Sequence, residues 1–355
     1  MNNKNTYFLC RTQYVNVGDL LINKMLIDEC CRYGKVYLDC PAAPDNFRKY
    51  LFDSNHIVDV NKTLNFSARS IKIWRLPNLI RKYKISVFLQ SPGPITIING
   101  LASKLFSRVL HLFLNLSHVK RYRVGFCISA IEARRGKIKI ASTSETYVRS
   151  LSGVNYLHSL GLSNVHYIPD LAYLLHYSVQ PSEKRKIAIL SFRAVKTNKT
   201  SFFNWLSEII DYLLANNYQI EMYHQVKKDR DFMEEVYHRF KHDGIVLRDN
   251  ILWYNSLNYY ADKDIVISNR LHSLLVGVVF NCIPMAYIDG NPLTNKINDV
   301  ICSSLPVPER FLSRSEESNK VIALINNRVK VREQLQQACQ KNADLCRSTI
   351  NSIMK

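Results

Sequence analysis

The sequence predicts an α/β protein of two doubly wound, Rossmann-like domains closed by a helical tail. Strand-like apolar runs alternate with helix-like segments through both halves, the pattern of βαβ units and parallel sheets. A polar, aperiodic break interrupts that alternation near mid-chain. The length of 355 residues also suits two domains of roughly 100–200 residues each.

In the first half, residues 7–10 read as a strand, followed by the loop Asn16-Val17-Gly18-Asp19. A helix over 20–33 has Leu20, Leu21, Met25 and Leu26 at helical spacing. Further strands are predicted at 35–38, 86–89, 123–128, 138–142 and 166–168. The segment 177–186 contains Pro181, lacks periodicity and reads as a linker. The alternation then resumes with a strand at 187–191, a helix at 202–215, a strand at 219–223 and a helix at 230–240. A strand at 265–268, a helix at 271–280 and a strand at 284–288 follow. Residues 318–354 read as one or two helices. The predicted organisation is an N-terminal domain over 1–177, a C-terminal domain over 186–315 and a tail over 316–355. Internal repeats and low-complexity tracts are absent from the sequence.

A composition of 47% apolar and 22% charged residues excludes a disordered or fibrous chain. The net charge of +19 is concentrated: between residues 61 and 140, sixteen Lys/Arg face a single acid, Glu132. Such a region favours an anionic partner, a membrane surface or a phosphorylated substrate. Nucleic acid is not indicated, for there is no zinc-finger spacing, RRM-like signature or run of five basic residues. Two segments suit a helix lying on an anionic bilayer. Residues 68–84 set Arg69, Lys72, Arg75, Arg81, Lys82 and Lys84 among Ile71, Ile73, Trp74, Leu76, Leu79 and Ile80. Residues 105–119 are strongly apolar and flanked by Lys104, Arg108, Lys120, Arg121 and Arg123. The alternative for both is a core-facing helix with a solvated basic edge.

No apolar run reaches the roughly 18–20 residues of a spanning helix, and the N-terminus is a poor signal peptide. Nine scattered cysteines without a CxxC pair point to a reducing compartment, and the histidines lack metal-ligand spacing. The expectation is a cytoplasmic protein, peripheral on the inner face of the cytoplasmic membrane, with no metal.

In doubly wound sheets ligands bind beyond the carboxyl ends of strands, so the residues after strands are the candidates. Ser268-Asn269-Arg270-Leu271-His272 joins a predicted strand to an apolar helix, where backbone N–H groups and the helix dipole favour an anion. Arg270 adds a forked donor for carboxylate or phosphate, and His272 can give or take a proton near neutral pH. The alternative is an arginine capping a carbonyl and a histidine satisfied by packing. Arg193 follows the first strand of the second half, on the same rim. Two guanidiniums there suit a ligand with two anionic groups. In Asn16-Val17-Gly18-Asp19, Gly18 permits close approach and Asp19 is a candidate helix cap or a base for a sugar hydroxyl. The loop has neither the glycines of a dinucleotide site nor the lysine of a P-loop. Lys296, at the start of a predicted helix, can neutralise a phosphate; the alternative is a solvent-facing lysine. His224-Gln225-Val226-Lys227-Lys228-Asp229 also follows a strand but reads mainly as loop.

With these residues placed, the chain resembles the polysaccharide pyruvyltransferase family. The resemblance rests on Asn16-Val17-Gly18-Asp19-Leu20-Leu21-Ile22, Ile168-Pro169-Asp170-Leu171-Ala172, Ser191-Phe192-Arg193, Ser268-Asn269-Arg270-Leu271-His272-Ser273, Pro284 and Lys296. It covers about residues 7 to 300. It implies a two-domain fold like that of GT-B glycosyltransferases and transfer of pyruvate from phosphoenolpyruvate to sugar hydroxyls. The matching residues His272, Arg270 and Arg193 are implied to hold and activate phosphoenolpyruvate. Asn16, Gly18, Asp19, Leu271 and Lys296 are expected on the substrate side. The donor is then a substrate and no cofactor is expected. Where the family has an Arg-Glu-x-x-Ser pattern before the Pro-Asp segment, Ser144-Glu145-Thr146-Tyr147-Val148 lacks the arginine. The implied acceptor is a lipid-linked or glycan sugar of surface-polysaccharide assembly. The rivals are a GT-B glycosyltransferase using a nucleotide sugar and a non-catalytic membrane- or polyanion-binding protein.

Overall fold

The computed structural model describes residues 4–40, 42–63, 75–94, 101–128, 140, 142–248, 252–292 and 295–355. Its contacts divide the chain into two compact units. The first comprises Met1–Val15, Asp19–Leu171 and Leu345–Lys355; the second comprises Asn16–Gly18 and Ala172–Asp344.

The first unit contains, in chain order, β1 (Asn5–Leu9), α1 (Val17–Cys31), β2 (Val36–Asp39), α2 (Asp45–Leu51), β3 (Ile57–Asp59), α3 (Val60–Thr63), α4 (Leu76–Tyr83), β4 (Ile85–Gln90), β5 (Gly93–Pro94), α5 (Leu101–Leu116), β6 (Lys120–Cys127), β7 (Glu145–Val148), α6 (Leu151–Ser159) and β8 (Val165–Tyr167). The strands run β3-β2-β1-β4-β6-β7-β8, with β5 paired to β6 and every pairing parallel. Strands covered on both faces need apolar residues on both faces, and β2 is buried throughout. Tyr7, Tyr37 and Phe88 form one packed face with Leu76 and Leu79 of α4 and Leu110 and Leu114 of α5. The Ser150 hydroxyl starts α6 by accepting the Gly153 N–H at 3.2 Å.

The second unit contains β9 (Ile187–Ser191), α7 (Lys199–Ala215), β10 (Gln219–Met222), α8 (Arg230–Phe240), β11 (Ile245–Leu247), β12 (Ile265–Ser268), α9 (Leu271–Val279), β13 (Ile283–Tyr287), α10 (Lys296–Ser304), β14 (Leu312–Ser313), α11 (Ser318–Asn326) and most of α12 (Arg328–Met354). Its parallel sheet runs β11-β10-β9-β12-β13-β14. The strand order reverses between β9 and β12, as it does between β1 and β4 in the first unit. Helix α9 sits low on β12 because Gly277 has no side chain; a Cβ there would overlap the Val266 side chain. Phe192, Phe202, Trp205 and Tyr287 stack under β9, and the Trp205 indole donates to Ser313 Oγ at 2.9 Å.

The α/β alternation read from the sequence is therefore present, with strands 187–191 and 265–268 and helix 230–240 at the expected residues. One expected strand is absent from its place. Ile140 is helical and Ser142 lies in a turn, residues 138, 139 and 141 being outside the described residues. The ladder is continued instead by β7, whose Val148 is fully buried. The three-residue strands β3 and β11 were not anticipated. Neither is buried along its length, so the apolar signal is too weak to read.

Contacts place the change of unit at Leu171/Ala172, ahead of the aperiodic segment 177–186, because Ala172, Tyr173, Leu174 and Leu175 are buried and Tyr173 bonds to Ser304 at 3.0 Å. The tail is two helices shared between the units. Its last turns join the first unit through Arg347–Glu29 at 2.8 Å and Tyr33–Asn351 at 3.0 Å. Among the described residues no helix is long and apolar enough to cross a membrane. All nine cysteines are free thiols.

Candidate functional site

The reversal of strand order in the second sheet leaves a gap in helix cover at the carboxyl ends of β9 and β12. Arg193 follows the first of these strands and Arg270 the second. Two consecutive side chains hold their backbones together. The Asn269 amide accepts the Arg193 N–H at 2.8 Å and donates to the Arg193 carbonyl at 3.0 Å. The Ser268 hydroxyl donates to the Ser191 carbonyl and accepts the Arg270 N–H at 2.9 Å. The side chains of β12 thus fix where both arginines leave the sheet.

Arg270 is the extended residue ahead of α9, and its guanidinium pairs with the buried carboxylate of Asp229. Arg270, whose alternative reading was a cap on a carbonyl, is thus ion-paired instead. Asp229 ends the short turn Lys227–Asp229 after β10. Burial raises its pKa and the Arg270 charge opposes that rise. Burial lowers the pKa of Arg193, and the neighbouring Arg270 charge lowers it further, with Asp289 and Asp229 opposing. Two guanidiniums therefore sit close enough to repel one another, and an anionic ligand would relieve that repulsion. Asp289, past β13, accepts the backbone N–H of Lys196 at 2.7 Å and of Thr197 at 3.3 Å, tying down the loop that carries Arg193.

His272 is the second residue of α9 and is partly buried. It packs against Gly18, which groups with this unit; a Cβ on Gly18 would overlap the imidazole ring. The close approach expected of Gly18 is therefore to a histidine of the chain itself. Asn16 begins α1 by accepting the Gly18 N–H at 3.0 Å. Asn16, and not Asp19, supplies the side-chain acceptor at this helix start, because Asp19 already lies inside the first turn. There its charge favours the helix N-terminus, and it is buried near Gly93 of the first unit. Leu271 is buried, so only its backbone N–H, one of the four without an intrahelical acceptor, remains for a ligand. Lys296 is exposed at the start of α10, whose cap is Asn295.

Several residues of the site carry little signal in the sequence. Asp229 lies in a segment that reads as loop, although it follows a strand on the same rim. Beneath the rim, the Tyr223 and Tyr260 hydroxyls bond to each other, with Ser191 and Ser273 close by. Burial pushes the Tyr223 phenol up to about 12, so it stays protonated at neutral pH. Tyr223 and Ser273 adjoin strand ends, which marks them for inspection; nothing local marks Tyr260.

In the first unit, the segment expected to lack an arginine is followed at once by Arg149. Its guanidinium meets Asp170 at 2.6 Å, with both side chains almost wholly buried. Arg149 thereby anchors the Pro-Asp segment.

A family model described as polysaccharide pyruvyl transferase matches residues 16–287. No curated protein matches the chain in sequence. Among solved structures, the UDP-GlcNAc 2-epimerase of Neisseria meningitidis bound to UDP-GlcNAc is similar over 99% of this chain and 98% of its own, at TM-score 0.60 and 10% identity. A glycosyltransferase of Rickettsia africae is similar over 100% and 98%, at TM-score 0.56 and 13% identity. The Anabaena protein HepE in complex with UDP-glucose is similar over 98% of both chains, at TM-score 0.56 and 9% identity. Likeness at such identities concerns the fold, which is of the GT-B type.

Proposed function

The chain belongs to the polysaccharide pyruvyl transferase family, and on that premise we propose that it transfers pyruvate from phosphoenolpyruvate to two hydroxyls of a sugar as a ketal. One observation carries the proposal: two arginines are stitched side by side at the switch point of the second sheet, with a histidine two residues beyond one of them. Phosphoenolpyruvate carries a carboxylate and a phosphate, the pair of anions that two forked guanidiniums suit. The N-terminus of α9 adds N–H groups that lack intrahelical acceptors and a favourable dipole.

In this reading His272 protonates C3, so that C2 becomes electrophilic. One sugar hydroxyl adds to C2 and its proton restores His272, inorganic phosphate leaves with the electrons of the C2–O bond, and the second hydroxyl closes the ketal as its proton passes to the phosphate. Arg193 and Arg270 stabilise charge on the carboxylate and the departing phosphate, and Lys296 is a further cation for that phosphate. Asp229 holds Arg270 in place between turnovers, and Asp19 is the candidate base for a sugar hydroxyl. The reaction calls on no cofactor and no metal. The acceptor would be a lipid-linked or glycan sugar of surface-polysaccharide assembly, met on the cytoplasmic side.

The test is phosphate release from phosphoenolpyruvate with a panel of lipid-linked and simple glycosides. Acceptor-dependent release that falls by about 10²–10⁴ in His272→Ala and in Arg270→Ala, with unchanged circular dichroism, is the expected result. Full activity in both variants would overturn the assignment. The fold shared with proteins solved with UDP-sugars favours a second reading, a glycosyltransferase with a nucleotide-sugar donor. That reading predicts saturable UDP binding and no phosphate release.

A further inference from the structure

We propose that the outer face of α5 docks on an anionic lipid bilayer, an inference independent of the donor chemistry. Leu105, Val109, Leu112 and Leu116 are 60%, 48%, 60% and 74% exposed. Their spacing of four, three and four residues puts all four on one stripe of the helix. The opposite side of α5 already fills the core through Leu110 and Leu114. The helix is thus apolar on two sides, and only the inner one is used by the fold. These four are the greater part of one continuous face, which isolated exposed leucines elsewhere on the chain do not form.

The charges around the stripe identify the partner. Arg108 is exposed on α5 itself, as is Lys120 at the start of β6. Helix α4 packs into the same core cluster through Leu76 and Leu79 and turns Arg81 and Lys82 to solvent, with Arg75 and Lys84 exposed at its ends. The stretch 61–140 that holds both helices has one acid against sixteen bases. Apolar side chains able to enter the acyl region, bordered by cations at headgroup level and almost free of acids, match an anionic bilayer. The two candidate segments therefore divide the work. The described part of 68–84 faces the core with its apolar residues and supplies charge, residues 68–74 lying outside the described residues, while α5 supplies the apolar contact.

The test is co-flotation of the full chain with vesicles of phosphatidylcholine alone and of phosphatidylcholine with phosphatidylglycerol, at 50 and 150 mM salt. Binding is expected to need phosphatidylglycerol, to persist in part at the higher salt, and to fall by roughly tenfold or more in the double variant Leu112→Glu, Leu116→Glu. A paired variant, Arg81→Gln with Lys82→Gln, should weaken binding at low salt more than at high salt. Thermal unfolding of each variant establishes that the fold is kept. Unchanged flotation of the leucine variant would overturn the proposal. So would a wild-type chain that ignores vesicles but runs as a dimer that the leucine variant converts to a monomer, because a second copy would then be the occupant.

Discussion

The two sheets handle buried arginine in opposite ways. In the second unit, Arg270 is matched by the carboxylate of Asp229, and its neighbour Arg193 is eased by Asp289 and Asp229. In the first unit, β6 buries Arg121 and Arg123 with no acid to match them among the described residues. Among the described residues Arg121 donates to neutral acceptors only: the Ser107 carbonyl at 3.2 Å and hydroxyl at 3.3 Å, the Ser142 carbonyl at 3.0 Å and Gln90 Oε1 at 3.3 Å. Arg123 has the Phe126 ring at 5.3 Å and, among the described residues, no hydrogen bond or ion pair. Burial pulls Arg121 down to about 10; burial and then Arg121 pull Arg123 down to about 9. Both values remain above neutral pH, so both side chains stay charged. The contrast teaches that net charge and usable charge differ. The basic first unit spends part of its positive charge inside at Arg121 and Arg123, whereas the second unit holds Arg193 and Arg270 at strand ends.

Substitutions can break or sharpen that contrast. The largest effect on stability is expected at the Arg149–Asp170 pair of the first unit, whose two side chains are almost wholly buried. Asp170→Ala strands Arg149 in the interior and should cost about 3–5 kcal/mol in denaturant unfolding; a loss below 1 kcal/mol would show that Arg149 finds another partner. Next comes the second unit's rim. Gly18→Ala must push the His272 ring aside, and a displacement near 1 Å should lower turnover by about 10²-fold with little change in thermal midpoint. Unaltered turnover would remove the packing of Gly18 from the account of the site.

The two arginines of β6 should then part company. Arg121→Met leaves four acceptors without this donor and should cost about 1–3 kcal/mol. Arg123→Met removes a buried charge that lacks a counter-ion and should be neutral or raise the midpoint. Equal losses in both would mean that Arg123 is matched after all. The smallest effect concerns pH. Burial alone would raise the Glu221 pKa, but Arg248, Tyr259 and Lys263 more than offset it, so the folded value lies below the ordinary 4.5. The stability it contributes is then present above about pH 4.5 and lost as pH falls through the lower folded value. Glu221→Gln should flatten the acid limb of a stability–pH curve and leave the limb above neutrality unchanged.

Much of the site was legible because its residues follow strands. Arg193, Arg270 and His272 stand where the alternation of strand and helix says a ligand-binding rim must be. Asp229 was obscured by a three-residue turn that looks like any polar loop. Asp19 was read as a cap because the helix start was placed at Leu20; the Asn16 side chain starts the helix earlier, at Val17. For α5 the sequence pattern left a choice between core helix and surface helix. Burial of Leu110 and Leu114 together with exposure of Leu112 and Leu116 shows that it fills the core on one side and leaves apolar residues exposed on the other.

By itself the sequence determined the parallel α/β class, the two-unit organisation and the positions of chemistry-bearing residues relative to strand ends, since periodicity and turn chemistry are local. Only the tertiary structure decided which of those residues meet. Arg193 and Asn269 are 76 residues apart, and Arg270 and Asp229 are 41 apart. Parallel strands are joined by crossovers, so residues that meet from the ends of two adjacent strands lie far apart in the chain. The order of strands in a sheet, which sets those meetings, is written in packing between elements and not in the pattern of any one of them.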